Sequence, residues 1–314
     1  GFTPAKARRT GKPSPSRPDG AVVTERTGRS TAVGAGVESF GSVSVSAMTA
    51  GMMPSRSAVA HFVAIATIPT RNISGFVPAD SPTRGQDGPI RPSDFLRTPG
   101  VTAITVDPPE QHPGRTPVLE RWDPPSGAGS PPVGAVLTLH GGRVRGRRAV
   151  GRLDLPLLRL HAIARAAHED LAAEGVVIWS LRYAVQGWNG TTASPVADAQ
   201  WALARIAATD DVPVALLGHS MGGRTAMRVA GEANVAGVVA LAPWFPPGEP
   251  LGEVAGRRLV IAHGTRDHTT DPRASRRYAE DAERAGAHVR FVDVPGEGHA
   301  LLRRSAWWNR FATE

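Results

Sequence analysis

The stretch LLGHSMGGRTA, Leu216 to Ala226, places a single serine, Ser220, between glycines directly after an apolar run. The pattern Gly-x-Ser-x-Gly between a buried strand and a helix is typical of a nucleophile elbow, a tight turn that lifts a serine hydroxyl out of a sheet. Side chains at Gly218 or Gly222 would collide with such a turn. The alternative is a glycine-rich loop in which Ser220 is a helix N-cap.

Strands and helices alternate around this stretch from Val101 onward. Apolar runs predict eight strands, at 101–106, 117–122, 133–139, 176–183, 212–218, 235–243, 258–264 and 288–294. Apolar residues at helical spacing predict helices at 155–174, 195–208, 220–230, 272–285 and 300–311. Continuous apolar strands separated by helices indicate a mostly parallel sheet covered on both faces. We therefore predict a three-layer α/β fold with functional residues just after the strands.

With an elbow in this position, the chain from about Val101 resembles the α/β-hydrolases of the serine esterase and lipase type. The resemblance implies an α/β-hydrolase catalytic domain over residues 99–314. Residues 1–98, rich in Pro, Gly, Ser, Thr and Arg, show no sustained apolar period, so we predict a low-order, disordered extension there.

The resemblance also implies a serine, acid, histidine order for the catalytic residues. His299, in PGEGHALL after the last strand, occupies the position of the family's histidine; His263 and His268 are rivals by residue type alone. Asp267, three residues after Gly264, matches the family's Gly-x-x-Asp turn. We predict a Ser220, Asp267 and His299 triad.

Asp271 precedes Pro272 at a helix start, which predicts a helix cap and not the catalytic acid. In this fold the residue after the nucleophile, here Met221, supplies one amide of the oxyanion hole. The second is expected from His140-Gly-Gly142, which resembles the family's His-Gly oxyanion loop, with Gly142 as the donor and Arg143 as the fallback.

Substrate-binding candidates also follow strands. Arg143 and Arg182 could present positive charge at the mouth of the site to an anionic acyl group, and ordinary arginine-rich composition on a solvated loop is the competing interpretation. Trp188 and Trp244 could line an apolar acyl pocket, or they could pack in the core beneath the loops.

The region between the strands at 235–243 and 258–264 is too short for the helical cap that many α/β-hydrolases insert there. We therefore expect a capless serine hydrolase that cleaves a small carboxylic ester through an acyl-enzyme. A serine peptidase, thioesterase or acyltransferase on the same machinery is the alternative, and a non-catalytic binding module of the same fold is another. The mechanism requires no metal and no cofactor.

Composition bounds the remaining possibilities. The chain of 314 residues has no cysteine, which excludes disulfides, cysteine metal sites and thiol catalysis. Its net charge of +8 lies mainly in residues 1–100 and is not clustered with aromatics, so no nucleic-acid partner is expected. No apolar run reaches transmembrane length, and we predict a cytoplasmic protein. The run Ala58–Ile68 would suit a signal peptide only if translation began near Met53.

Overall fold

The computed structural model describes residues 101–104, 114–124 and 131–312 of the chain. Within them one eight-stranded sheet has the order β1-β2-β4-β3-β5-β6-β7-β8. Strand β2 is antiparallel to both β1 and β4, and every later pairing is parallel. The strands are β1 Val101–Ile104, β2 Val118–Trp122, β3 Gly134–Leu139, β4 Val176–Arg182, β5 Val214–His219, β6 Val235–Leu241, β7 Arg258–Gly264 and β8 His288–Val294.

Helices cover both faces of the sheet, and the apolar core forms two clusters accordingly. Helices α1 and α5 bury one cluster, which includes Ile163 and Trp308. Helices α2, α3 and α4 bury the other, which includes Ile206 and Met227. The bounds are α1 Leu155–Leu171, α2 Ser194–Thr209, α3 Met221–Arg228, α4 Pro272–Arg284 and α5 Ser305–Phe311. The predicted three-layer architecture is confirmed.

The predicted element ends differ from the observed ones where a local backbone feature intervenes. The strand predicted over 235–243 ends at Leu241, because Ala242 has a positive φ of 44° that an extended strand does not allow. The helix predicted over 155–174 ends as an α-helix at Leu171 and continues as a 3₁₀ turn. The last helix begins at Ser305 and not at Ala300, because Leu301 has a φ of 57°.

Residues 242–257 connect β6 to β7 through turns without a helix. The carboxyl ends of the parallel strands are therefore not covered by an inserted cap at this point, as the spacing predicted. In the described ranges no helix is both long and apolar enough to cross a bilayer. The predicted extension over 1–98 and the apolar run Ala58–Ile68 lie outside the described residues.

Candidate active site

The turn between β5 and α3 holds Ser220 in a conformation that few non-glycine residues adopt, with φ 57° and ψ −116°. The turn is too tight for side chains at its flanks. A Cβ on Gly218 would lie 2.4 Å from the carbonyl oxygen of Gly222, and one on Gly222 would lie 1.8 Å from that of Leu139. The Ser220 amide donates to the carbonyl of Leu241 at 3.0 Å. These contacts fix the hydroxyl at the carboxyl end of β5.

The three residues predicted as a triad lie in one hydrogen-bonded line. The Nε2 atom of His299 is 2.9 Å from the Oγ of Ser220, and its Nδ1 atom is 2.8 Å from the Oδ2 of Asp267. A carboxylate only accepts, so Nδ1 carries the proton and Nε2 is left to accept from the serine hydroxyl. This arrangement gives Ser220 a base that is itself oriented by an acid.

Asp267 is fully buried and is surrounded by donors. Its Oδ1 accepts from the amides of Thr269 and Thr270, and its Oδ2 accepts from the Thr270 hydroxyl, His299 and His263. Burial alone would raise the pKa of this carboxyl, but the hydrogen bonds from His263, His299 and Thr270 outweigh it and hold the pKa well below its usual range. Asp267 is therefore a carboxylate at any pH near neutrality.

The rival residues have other positions. His263 is buried on the other side of Asp267, with its Nε2 3.1 Å from Oδ2 and its Nδ1 2.9 Å from the Oγ of Ser275. His268 is exposed to solvent. Asp271 caps α4 by accepting from the amide of Arg273 at 2.9 Å, as predicted. Only His299 among the candidate histidines contacts Ser220.

His219, inside the elbow, makes a contact that the sequence reasoning did not anticipate. Its buried ring donates from Nε2 to the carbonyl oxygen of His299 at 2.9 Å. Burial and the neighbouring His299 lower the pKa of His219 to about 3, so the ring is neutral. His219, the residue before Ser220, thereby holds the backbone of His299. The only signal in the sequence is a hydrogen-bonding side chain between Gly218 and Ser220.

The loop after β3 lies beside the elbow. A Cβ on Gly142 would lie 2.3 Å from the Cε of Met221, and one on Gly141 would lie 3.4 Å from the Cβ of Ser220. The amides of Gly142 and Met221 donate to no other group of the described residues. The amide of Arg143, the fallback donor, is already taken by the carbonyl of Gln186 at 2.8 Å.

His140 fixes the shape of this loop. Its Nδ1 donates to the carbonyl of Gly141 at 2.6 Å, and its Nε2 accepts from the amide of Tyr183 at 3.2 Å. Burial lowers the pKa of His140 to about 4, so the neutral ring can keep both roles. The carbonyl of Gly141 is thereby occupied, while the amide of Gly142 has no acceptor among the described residues.

A cavity of about 260 Å³ is lined in part by the same loop, including Gly141 and Gly142. Gly142, Arg143, Asp154 and Gln186 contribute to its polar lining. Its apolar lining comes from the segment that leads into α1, where Leu153 and Leu155 are exposed. The cavity therefore runs along residues 140–156 and includes Gly141, on which a Cβ would lie 3.4 Å from the Cβ of Ser220.

Of the four substrate-binding candidates, only Arg143 lines this cavity. The guanidinium of Arg182 is bonded to the carbonyl of Val150 at 2.9 Å. Trp188 is buried, and the guanidinium of Arg224 lies 3.6 Å from its ring centroid and 4.6 Å from that of Trp244. The two tryptophans thus pack around a buried arginine beneath the loops, the second of the two interpretations left open above.

The Arg224 cluster is anchored by an acid. Glu249, on the connection between β6 and β7, pairs with Arg224 and with Arg228 at 2.5 Å each. The amide of Trp244 in turn donates to the carbonyl of Ser220 at 3.1 Å. The cluster therefore stabilises α3 and the turn that holds Ser220. No group of three or more potential metal-ligating side chains occurs among the described residues.

Comparison with known proteins agrees with the resemblance seen in the sequence. Residues 192–301 match the family model of an α/β-hydrolase domain. The structure is similar to that of the thermophilic esterase Est2 from the Planctomycetes species Thermogutta terrifontis. In its native form the TM-score is 0.54 with 18% identity, covering 68% of this chain and 89% of Est2. In its butyrate-bound form the TM-score is 0.52 with 19% identity, covering 68% and 91%.

An α/β serine hydrolase from Xanthomonas campestris also matches, with a TM-score of 0.48 and 16% identity over 69% of this chain and 93% of that one. No curated protein is similar to the chain in sequence. The family match over residues 192–301 and the Est2 structures show that this chain has the α/β-hydrolase fold, as the resemblance in the sequence predicted.

Proposed function

We propose that the protein is a serine hydrolase that cleaves carboxylic esters through an acyl-enzyme. The observation that carries the proposal is the line of hydrogen bonds from Asp267 through His299 to Ser220, at 2.8 Å and 2.9 Å. The amides of Gly142, in the loop that lies against the elbow, and of Met221, next to Ser220, have no acceptor among the described residues. A nucleophile, its base, an orienting acid and an oxyanion hole are the parts that acyl transfer requires.

The first half-reaction forms the acyl-enzyme. The Oγ of Ser220 attacks the ester carbonyl while its proton passes to the Nε2 of His299. The carbonyl oxygen becomes an oxyanion that accepts from the amides of Gly142 and Met221. The bond to the leaving alcohol then breaks, and His299 returns the proton to the departing oxygen. Asp267 stabilises the imidazolium through Nδ1 but keeps its own charge.

The second half-reaction releases the acid. Water enters from the open face, and His299 takes a proton from it as the oxygen attacks the acyl carbon. The oxyanion forms again in the same hole, and the bond to Ser220 breaks as His299 reprotonates Oγ. The enzyme returns to its starting state without a metal or a cofactor.

Esters are the first choice for two reasons. Est2, which has the same fold, is an esterase, and one of its structures is butyrate-bound. The connection between β6 and β7 carries no cap helix among the described residues, so water can reach the acyl-enzyme from the open face. Short-chain esters are therefore the substrates to test first.

Labelling with a fluorophosphonate probe and hydrolysis of 4-nitrophenyl butyrate test the proposal together. Ser220→Ala should abolish labelling and lower turnover on the order of a million-fold, because the triad acts as a unit. Ser305→Ala, an exposed serine at the start of α5, is the matched control and should label like the wild type. A folded Ser220→Ala protein that still labels would overturn the assignment.

A further inference from the structure

The loop that follows the oxyanion glycine carries an unusual density of positive charge. Residues 143–154 contain one aspartate and five arginines, at 143, 145, 147, 148 and 152. We call residues 143–152 the arginine loop. Composition alone would explain solvated arginines at random positions. The structure adds that this loop is fixed in place and lines a cavity together with Gly141 and Gly142.

Backbone hydrogen bonds tie the arginine loop to residues 186–189 along its length. The amide of Trp188 donates to the carbonyl of Arg143 at 2.9 Å, and the amide of Gly187 donates to that of Gly146 at 2.9 Å. The side-chain oxygen of Asn189 accepts from the amide of Gly146 at 2.9 Å. The guanidinium groups therefore extend from a backbone that is already ordered, which reduces the entropic cost of binding an anion.

The two segments approach too closely for any side chain between them. A Cβ on Gly187 would lie 2.2 Å from the amide nitrogen of Gly146. Two bridges, Arg143 to Gly187 and Ala149 to Val185, add sheet-like pairing at either end. Because Gly187 has no side chain, the arginine loop can pack against the segment that follows β4.

The acids near the loop are already engaged. Asp154 accepts from Arg148 at 2.8 Å, from Gln186 at 2.6 Å and from the amide of Gly151 at 3.0 Å. Burial alone would raise the pKa of Asp154, but these hydrogen bonds outweigh it and lower the pKa. Arg152 lies 4.0 Å from Glu120. Within the described ranges no acidic side chain pairs with Arg143, Arg145 or Arg147.

We propose that the substrate of this site is an ester that carries an anionic group, a carboxylate, close to the scissile carbonyl, and that the arginine loop binds it. The inference rests on the proposed serine-hydrolase function. Arg143 and Gly142, the proposed oxyanion donor, are neighbours in the chain and line the same cavity, so one short substrate can reach both residues. Planar, bidentate pairing of guanidinium with carboxylate makes arginine suited to this role.

The cavity limits the size of the rest of the substrate. At about 260 Å³ it accommodates a short chain, and the exposed Leu153 and Leu155 supply apolar contact at its rim. Half-esters of short dicarboxylic acids meet both requirements. Esters of carboxylated alcohols place the same charge on the leaving group instead.

Two pairs of esters, each with one anionic and one neutral member, separate these cases with the wild-type enzyme. The neutral reference is 4-nitrophenyl butyrate, the 4-nitrophenyl half-ester of glutaric acid carries its charge on the acyl side, and 4-acetoxybenzoate carries it on the leaving group. A higher kcat/KM for the glutarate half-ester than for the butyrate, or for 4-acetoxybenzoate than for its neutral counterpart phenyl acetate, supports the proposal. The preferred arm shows which part of the substrate meets the loop. No preference in either comparison overturns it.

Variants then assign the preference to the loop. Arg143→Gln combined with Arg145→Gln should lower the ratio of kcat/KM for the anionic ester to kcat/KM for the neutral ester. We expect a decrease of about fivefold or more, which corresponds to the free energy lost when an exposed charge pair is removed. Added salt should lower the wild-type ratio in the same direction because these arginines are exposed. The matched control is Arg284→Gln, an exposed arginine at the far end of α4, which should leave the ratio as in the wild type.

The two levels of the proposal fail in different ways. An enzyme that labels with fluorophosphonate and cleaves neutral esters, but whose anionic preference is absent or unchanged in the double variant, disproves only the anionic substrate. An enzyme that neither labels nor cleaves any of the esters disproves the serine-hydrolase function itself.

Discussion

Asp267 and Asp198 are both buried aspartates near the carboxyl edge of the sheet, and their pKa values are shifted in opposite directions. Asp267 accepts hydrogen bonds from five donors, and its pKa is held below the usual range. Asp198, on α2, accepts only from the amide of Ala184 at 2.9 Å, and its Oδ1 has no partner among the described residues. Burial raises the pKa of Asp198 to about 7, and that single hydrogen bond opposes it only partly.

The difference shows that burial does not decide the charge of a carboxyl group; the number of donors aimed at it does. Burial penalises the carboxylate, and each hydrogen bond to the carboxylate offsets part of that penalty. Five donors surround the charge of Asp267, which contacts His299. Only one of the two carboxyl oxygens of Asp198 accepts a hydrogen bond, from the segment that follows β4. Exposed Asp271, which only caps a helix, is the reference for an aspartate without a buried charge.

Among variants of the aspartates, the largest expected effect is from Asp267→Asn. The amide cannot accept as a charged group and favours the wrong tautomer of His299, so kcat should fall on the order of 10⁴-fold. Turnover of 4-nitrophenyl butyrate measures it, with circular dichroism to confirm folding. If the comparison is correct, Asp198→Asn lowers kcat far less. Equal losses in the two variants would show that the charge of Asp267 has no special role.

A smaller effect is expected from removing one donor of Asp267. His263→Phe keeps a ring but deletes the bond from Nε2, whereas His263→Gln retains an N–H donor. With one donor fewer, the charge of Asp267 acts more strongly on His299, so the acid limb of the kcat/KM profile should move to higher pH. The shift in the Phe variant should be about one pH unit, the equivalent of one hydrogen bond to a charged group.

Besides the triad, the titratable and charged groups near His299 include His219 and Arg159. Arg159 donates to the carbonyls of Ala300 and Leu301, just after His299. His219 and Arg159 are the same in His263→Phe and His263→Gln, so they do not account for a difference between the two variants. Lower activity in His263→Phe with an unmoved acid limb, or no recovery in His263→Gln, would make His263 a packing residue only.

The third prediction concerns stability and not turnover. The pKa of Asp198 in the folded protein, about 7, lies above its unfolded value of 3.8. The folded state therefore holds the proton more tightly, and this group lowers stability as the pH rises from about 4 through 7. Asp198→Asn removes this titration. The Tm of the variant minus that of the wild type should therefore be larger at pH 8 than at pH 5.

Thermal unfolding at pH 5 and pH 8 measures this gain. Asp211→Asn, an exposed aspartate that follows α2, is the matched control and should change the wild-type dependence little. A Tm difference between Asp198→Asn and the wild type that stays constant with pH would show that Asp198 is ionised in the folded protein over the whole range.

The smallest effect is expected from Asp271. Its carboxylate caps α4 at the surface, so Asp271→Ala should cost about 1 kcal/mol of unfolding free energy or less. Asp271→Asn should cost less than the alanine variant, because asparagine also caps well. Urea unfolding measures both, and kcat should remain as in the wild type. A fall in kcat comparable to that of Asp267→Asn would show that Asp271 also acts in turnover and is not only a helix cap.

The sequence by itself determined the fold and the positions of the main chemical groups. Apolar runs located the eight strands, because burial on both faces leaves a continuous local pattern. The elbow around Ser220 was readable because its turn excludes side chains at specific positions. The order of serine, acid and histidine then directed attention to Asp267 and His299, which the structure brings together. The cap at Asp271 was readable for the same local reason.

Only the tertiary structure decided what each group meets across the chain. That His219 holds the carbonyl of His299, eighty residues away, and that His263 lies behind Asp267, depend on how β5, β7 and the last loops converge. The packing of Trp188 around Arg224 and the capture of Arg182 by Val150 are likewise non-local. Local patterns encode which residues are buried, but the number of partners a buried polar group finds is set by segments distant in sequence. The opposite pKa shifts of Asp198 and Asp267 arise for that reason.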